Sequence, residues 1–325
     1  MSVTSADVAR AAGVSRATVS YVLNDAPGRT VSAQTRDAVL RVARDLGYQP
    51  NALARSLKRG RSNTVLFPLP RIEMNHVLSS LIDACTTALA PRGFALVSDM
   101  SHHADPAVQA DAWAEVAPAA VLDLNLHHDD EALVLVRARG IPVLSAALPD
   151  QQPWETSGDI FAREQRLEQL RYLIDHGHRT IRSILPKELP VDPRTARQLL
   201  TDAQALAAAA GVRLEIERLD LADIAAGIAS WSVLPDAVAT HNDSYAIAVM
   251  TALQHRGLGI PDDIAVIGLD DEPLGRAVTP ALTTIAGDFA GFATAVADAV
   301  EAVLAHQPAA ALPVPPLRLI KRDSA

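Results

Sequence analysis

Cysteine is almost missing from this chain. One thiol, Cys85, stands among 325 residues, which excludes an internal disulfide framework and any metal site built on several cysteines. It reads as a small apolar helix residue. Aromatic side chains make up only 4%, so few rings are available to stack on the face of a sugar or base. Long hydrophobic runs are lacking too: no stretch approaches the roughly 18 residues that a membrane helix needs. The opening MSVTSADVARAAGVS has no apolar leader, and the expectation is a cytoplasmic protein without a membrane partner. No P-loop, GxGxxG turn or nucleophile elbow follows any apolar run. Asp270-Asp271 resembles an acid pair, but nothing beside it supplies a nucleophile or a metal. His102-His103 and His127-His128 read as surface pairs more readily than as metal ligands. Neither an enzyme nor a resident cofactor or metal is expected.

What is present is an ordinary globular composition, with 49% hydrophobic and 21% charged residues, in a chain long enough for more than one folded unit. The net charge of −9 hides an asymmetry. Residues 1–61 hold ten Lys or Arg against four Asp, a balance of +6, whereas the remainder carries −15. A basic head on an acidic body is the electrostatic footprint of a module that binds a polyanion.

The head parses into short helices. Thr4 is placed to cap a helix carrying Val8, Ala9 and Ala12 on one face. Gly13 breaks it, and Ser15 opens a second helix, Arg16 to Leu23, with Val19, Val22 and Leu23 inward and Arg16, Ala17, Ser20 and Tyr21 outward. A third helix runs from Ser32 to Leu46, its Val39, Val42, Ala43 and Leu46 closing a small core before Gly47 stops it. Two helices joined by a short Gly-containing turn, the second opening on polar side chains, form a helix-turn-helix.

VTSADVARAAGVSRATVSYVLN, followed by VSAQTRDAVLRVARDLGYQPNALARSLKRGRSNT, closely resembles the head of the lactose-repressor (LacI/GalR) family. The resemblance implies that Arg16, Ala17 and Tyr21 read bases in the major groove. Ser15, Thr18 and Ser20 are implied as phosphate-positioning residues. Tyr21 stands where many members carry arginine, and the lost Arg–guanine fork implies a different half-site preference. Thr4 and Asn24 join the implied DNA contacts. Pro50 to Lys58 resembles the family's hinge helix, too short to be stable alone. Its Asn51, Ala54, Leu57 and Lys58 are the implied minor-groove contacts, with Leu57 at the wedge position.

Beyond Thr64 apolar strand runs alternate with helical stretches, the pattern of parallel sheets covered on both faces. Strands are predicted at 65–69, 94–98, 120–125, 142–146, 180–185, 213–218, 237–240 and 264–269. Helices are predicted at 77–90, 107–115, 131–139, 164–176, 194–210 and 244–255, and the Ala- and Pro-rich 305–316 as a loop. This body resembles the same family's core, most closely in PDAVATHNDSYAIAVMTALQHRGLGIPDDIAVIGLDD. The implied fold class is an all-α helix-turn-helix head plus an α/β core of two parallel-sheet subdomains of the type I periplasmic-binding-protein kind. The expected division is a head at 1–49, a hinge at 50–61 and an effector-binding and dimerisation core at 62–325. Within that core, 62–158 with 288–318 would form one subdomain and 159–287 with 319–325 the other.

The resemblance implies a homodimer on a palindromic double-stranded operator, repressing transcription and gated by a small-molecule effector in the core cleft. Arg71, Asn75, Arg197, Asn242 and Asp270 are the expected effector contacts, although Asn242 and Asp270 could equally serve as strand-end caps. The cleft stretches depart from the sugar-binding pattern. Arg71, Glu73 and His76 stand where those members place an acid, an amide and rings, which points to an anionic effector such as a sugar phosphate. Pairing of Arg71 with Glu73 or Asp99 is the structural alternative. A vestigial or partner-protein-bound cleft is the alternative at the level of function. A secreted solute-binding protein or an enzyme on the same fold would explain neither the head nor the hinge.

Overall fold

The computed structural model describes residues 3–23, 31–48, 62–69, 74–124, 131–145, 157–189 and 193–325. Two compact units account for them, 1–62 and 63–325.

In the first unit α1 (Ser5–Ala12), α2 (Arg16–Leu23) and α3 (Ala33–Asp45) pack around Val8, Ala9, Val19, Val22, Val39 and Ala43. Each start has a side-chain cap. Thr4 and Asp7 make a reciprocal capping box, and the Ser32 hydroxyl accepts the Thr35 N–H, satisfying donors that a helix start leaves orphaned. Gly13 ends α1 at φ 65°, a left-handed conformation that favours glycine. One expectation fails here: Leu46 is 39% exposed and does not close the core. It is the cap of α3, past the last full turn, and Tyr48 packs on the core in its place.

The second unit holds two sheets. The first, in order β2-β1-β3-β4, joins β1 (Thr64–Pro68), β2 (Ala95–Asp99), β3 (Ala120–Asp123) and β4 (Val143–Ser145), all parallel. Val65 and Phe67 of β1 face α4 (His76–Leu89) and α11 (Ala290–Leu304). Leu66, one residue out of phase, faces α5 (Pro106–Glu115) and α6 (Glu131–Ala138). That alternation is the two-residue period of a strand buried on both sides. Cys85 lies in the same core, its thiol pushed up to about 12 by burial.

The second sheet runs β10-β9-β8-β7-β5-β6. Its strands are β5 (Thr180–Leu185), β6 (Arg213–Arg218), β7 (Ala237–Thr240), β8 (Ala265–Leu269), β9 (Thr283–Gly287) and β10 (Leu317–Ile320). One face carries α7 (Ser157–Asp175) and α8 (Pro193–Ala209), the other α9 (Ile224–Ala229) and α10 (Asp243–His255). Two strands were not foreseen, β9 and β10, and β10 is antiparallel to β9. Thr283, Thr284 and exposed Arg318 gave them no clear apolar signal. Helix α7 starts seven residues before the predicted 164, because Asp159 is held there by the Thr195 hydroxyl at 2.9 Å.

Three chain crossings link the sheets, and they share one edge. β4 ends at the carboxyl edge of the first sheet. β9 ends at the carboxyl edge of the second at Gly287, where β10 begins at the paired Leu317. The Asp288 N–H donates to the Pro316 carbonyl at 2.9 Å, tying two crossings together. The carboxyl edges of the two sheets therefore face each other, the arrangement in which α/β sheets hold ligands.

Packing at that edge is tight around Gly268 on β8. A Cβ there would collide with Asp243 Oδ1 and press on Leu282 Cδ2 at 3.1 Å. Gly268→Ala is expected to lower unfolding stability by roughly 2–3 kcal/mol in chemical denaturation. Gly291→Ala, on α11 with nothing within 4 Å, should be neutral or gain up to about 1 kcal/mol. Equal effects of the two substitutions would contradict this packing.

Candidate functional site

Two regions gather the polar side chains that packing does not require. The first is the start of α2. Ser15 caps it, its Oγ accepting the Thr18 N–H at 3.0 Å and lying 2.9 Å from Thr18 Oγ1. Val19 and Val22 are buried on the inner face, so the helical period leaves Arg16 and Ala17 exposed and Ser20 and Tyr21 half-buried on the other side. The result is a helix N-terminus presenting a guanidinium, hydroxyls and a phenol to solvent, which suits a phosphate-lined groove. Thr4 is engaged locally: its backbone N–H donates to the Asp7 carboxylate at 3.0 Å and its hydroxyl donates to it at 2.6 Å. These two bonds hold the Asp7 carboxyl below its ordinary range. Asn24, Asn51, Ala54, Leu57 and Lys58 lie outside the described residues.

The second region is the carboxyl edge of the second sheet. Helix α7 crosses it with three inward polar residues. Gln169 is buried and its amide donates to the carbonyls of Thr240, Ile267 and Gly268 at 3.0–3.1 Å, clamping the helix on the ends of β7 and β8. Gln165, one turn earlier, donates to Asp270 Oδ1 at 3.3 Å. Between them Arg166 reaches His241, with Nη2 2.6 Å from Nδ1. A guanidinium can only donate, so Nδ1 accepts and the imidazole is neutral with its proton on Nε2. Burial and the neighbouring Arg166 drive the His241 pKa down to about 3. Arg166 itself falls to about 10, chiefly through burial, with Asp270 opposing that shift and Arg218 adding to it. Arg218 closes the row, its Nη1 donating to the Pro186 carbonyl at 3.0 Å.

Two carboxylates share this edge. Asp243 is buried at the first turn of α10, where Oδ1 accepts the Thr284 hydroxyl at 2.6 Å and Oδ2 the Glu272 N–H at 2.7 Å. Burial outweighs both bonds and lifts its pKa to about 7. Asp270 follows β8 at φ 101°, a backbone conformation disfavoured for a side chain with a Cβ. Its N–H donates to the Ile285 carbonyl at 2.8 Å, and burial again raises its carboxyl to about 7 against the pull of Gln165 and Arg166. Asp271 behaves differently. Burial would raise it, but Arg276 and Arg322 bind it and keep it below its ordinary range.

Asn242 and Asp270 thus stand on neighbouring strand ends. Asn242 is the cap of α10, its Oδ1 accepting the Tyr245 N–H at 3.0 Å. Asn75 plays the same part for α4, accepting the Leu78 N–H at 2.9 Å. Arg197 lies on the exposed face of α8 and no described bond joins it to this edge. Arg71 and Glu73 lie outside the described residues, and His76 is half-buried in the first turn of α4. Asp99 is occupied by the Trp113 Nε1–H at 2.7 Å and the Ser101 N–H at 3.0 Å. His102 and His103 are exposed; His127 and His128 are not described. Among the described residues no three His, Cys, Asp or Glu side chains converge on a common metal position, and none of the described helices is long and apolar enough to cross a membrane. Arg166 and His241 are polar groups of this edge that the sequence pattern does not single out. The nearest signal is the recurrence of glutamine at 165 and 169, polar positions one turn apart on a helix whose other buried positions are mostly apolar.

Known proteins share this architecture. Residues 4–51 match the family described as bacterial regulatory proteins, lacI family, and 170–325 match the periplasmic binding protein-like domain. The ribose operon repressor of Escherichia coli (strain K12) is 31% identical over 298 residues, covering 86% of each chain. The HTH-type transcriptional repressor PurR of Vibrio vulnificus is 30% identical, covering 86% of this chain and 85% of its own. Among solved structures, the lac repressor dimer bound to operator and the anti-inducer ONPF superposes with a TM-score of 0.74 at 25% identity. It covers 100% of this chain and 99% of its own. The complex of the transcriptional regulator CelR with cellobiose gives a TM-score of 0.64 at 23% identity over 99% of this chain and 100% of that one, a likeness of fold.

The raised carboxyl of Asp270 has a measurable consequence. Its folded pKa of about 7 exceeds its unfolded value of 3.8, so the folded state holds the extra proton between those pH values and wild-type stability falls as pH rises through them. Asp270→Asn removes that loss. Its stability relative to wild type should grow from pH 4 to pH 8 by on the order of 2 kcal/mol in denaturant titrations. A difference that stays flat with pH would contradict the assignment.

Proposed function

The chain belongs to the lacI family of bacterial regulatory proteins, and on that premise we propose how it works as a DNA-binding transcriptional regulator. The observation that carries the reading is the exposed start of α2, with Arg16 and Ala17 outward on a helix locked by Ser15 and by its buried valines. Arg16, Ala17 and Tyr21 read base edges; Ser15, Thr18 and Ser20 hold phosphates, with Thr4 and Asn24 beside them. Residues 50–61 serve as a hinge whose Asn51, Ala54, Leu57 and Lys58 enter the minor groove. The protein acts as a cytoplasmic repressor and as a homodimer through its core on an inverted-repeat operator. Residues 1–49 read DNA and 62–325 dimerise and bind a small-molecule effector. The effector lies between the facing carboxyl edges, where Asn242 and Asp270 contact it from one side and Arg71 and Asn75 from the other, with Arg197 joining them.

Sequencing genomic fragments retained by the full chain supplies the operator, expected as an inverted repeat. Binding to that fragment should weaken by at least about tenfold between 50 and 200 mM salt, as counterions released by the basic head demand. Arg16→Ala should lose roughly 1–3 kcal/mol of binding in fluorescence anisotropy while its melting temperature stays that of wild type, since Arg16 is exposed. Undiminished affinity of Arg16→Ala would remove α2 as the reading element.

A further inference from the structure

The Arg166 guanidinium is the charged group at the second sheet's carboxyl edge that the fold leaves unanswered. Among the described residues Nη1 is buried without a hydrogen-bond partner, and the one hydrogen bond described for the group, from Nη2, goes to an imidazole, not to a carboxylate. No described carboxylate lies within ion-pair distance of it, although Asp270 and Arg218 are near enough to act on it through space. Every other inward polar residue of α7 has a bond that explains it: Asp159 with Thr195, Gln165 with Asp270, and Gln169 with three carbonyls. A buried cation without a counter-charge is costly. His241 adds no negative charge, because it accepts from Arg166 and stays neutral. Its Nε2–H is a second donor at the same strand end, and its ring stands edge-on to Tyr245 at 5.4 Å.

We propose that Arg166, with His241 beside it and Arg218 behind it, binds the acidic oxygens of the effector, a phosphate or carboxylate group, at this edge. The inference rests on the reading of the facing edges as an effector site and adds the chemistry that site selects. The guanidinium supplies a planar pair of N–H donors matched to two oxyanion oxygens. Asp270 marks the opposite limit of the site. As an acceptor it suits a hydroxyl on the same ligand, so a sugar phosphate or a hydroxy acid fits the row from Asp270 through His241 to Arg166.

Thermal unfolding of the full chain tests this with inorganic phosphate, acetate and chloride at matched ionic strength. Phosphate stabilises many proteins by exclusion from their surface, so Arg166→Gln and, as a surface control, Arg318→Gln are melted in parallel. With 20 mM probe and millimolar affinity, wild type and Arg318→Gln should gain roughly 3–6 °C over chloride. Arg166→Gln should show no such excess, and Arg166→Lys, which keeps the charge but loses the fork, an intermediate one. A gain from phosphate alone assigns a phosphate ligand, and a gain from acetate as well assigns a carboxylate. No excess in wild type, or an equal excess in Arg166→Gln, overturns the inference. A panel of neutral sugars separates its failure from failure of the effector reading. A neutral sugar that stabilises wild type and Arg166→Gln alike overturns the anion site and leaves the effector reading intact. An Arg166-dependent phosphate gain that leaves operator affinity unchanged supports the anion site and counts against its effector role.

Discussion

The carboxylate of Asp243 holds the second sheet's carboxyl edge together. It is buried at the first turn of α10, fills the space that Gly268 vacates on β8, and accepts from Thr284 on β9 and from the Glu272 backbone. One side chain thereby joins a helix start, two strands and the loop that follows β8. An acid in such surroundings is tolerated because its oxygens are satisfied and because it holds its proton up to about pH 7. Asp270, two residues beyond Gly268, is set in its left-handed conformation by the same loop and by its bond to Ile285.

The head follows a different logic, because it is too small to rely on burial alone. The six buried residues described in it are all valine or alanine, and much of its definition comes from caps: the Thr4–Asp7 box, Ser15 on Thr18 and Ser32 on Thr35. A module built this way leaves Arg10, Arg16, Arg41 and Arg44 outside, where they can meet a polyanion. The body instead buries a few polar groups at the carboxyl edge of its second sheet, Gln169 from α7 and Asp243 from α10, with Nη1 of Arg166 beside them, and this division of labour suits a reader of DNA joined to a sensor of small molecules.

Much of this was legible in the sequence, and the exceptions have physical causes. Val8, Val19 and Val39 recur at helical spacing and are buried as that spacing requires. AVAT and AVIGL are almost wholly apolar and form the central β7 and β8. Leu46 follows the same helical stripe yet faces solvent, since a pattern extended one residue past the last turn no longer points inward. The edge strand β10 escaped because a strand with one neighbour carries little apolar signal, and β9 because its buried threonines are satisfied by side-chain hydrogen bonds such as that from the Thr284 hydroxyl to Asp243. Asn75 and Asn242 each cap a helix at this depth of the fold, and for Asn242 a cap was one of the two roles its strand-end position allowed. Arg166 was invisible for a simpler reason. A charged residue in a helix normally reads as solvated, and only the fold shows it turned inward against His241.

Amide hydrogen exchange of the full chain, free and saturated with the operator fragment, tests most directly the claim that α2 reads DNA. Added protection is expected over residues 15–21, with the already buried strands at 181–185 and 265–269 unchanged. Protection confined to the α/β body, with the start of α2 exchanging as in the free protein, would contradict it.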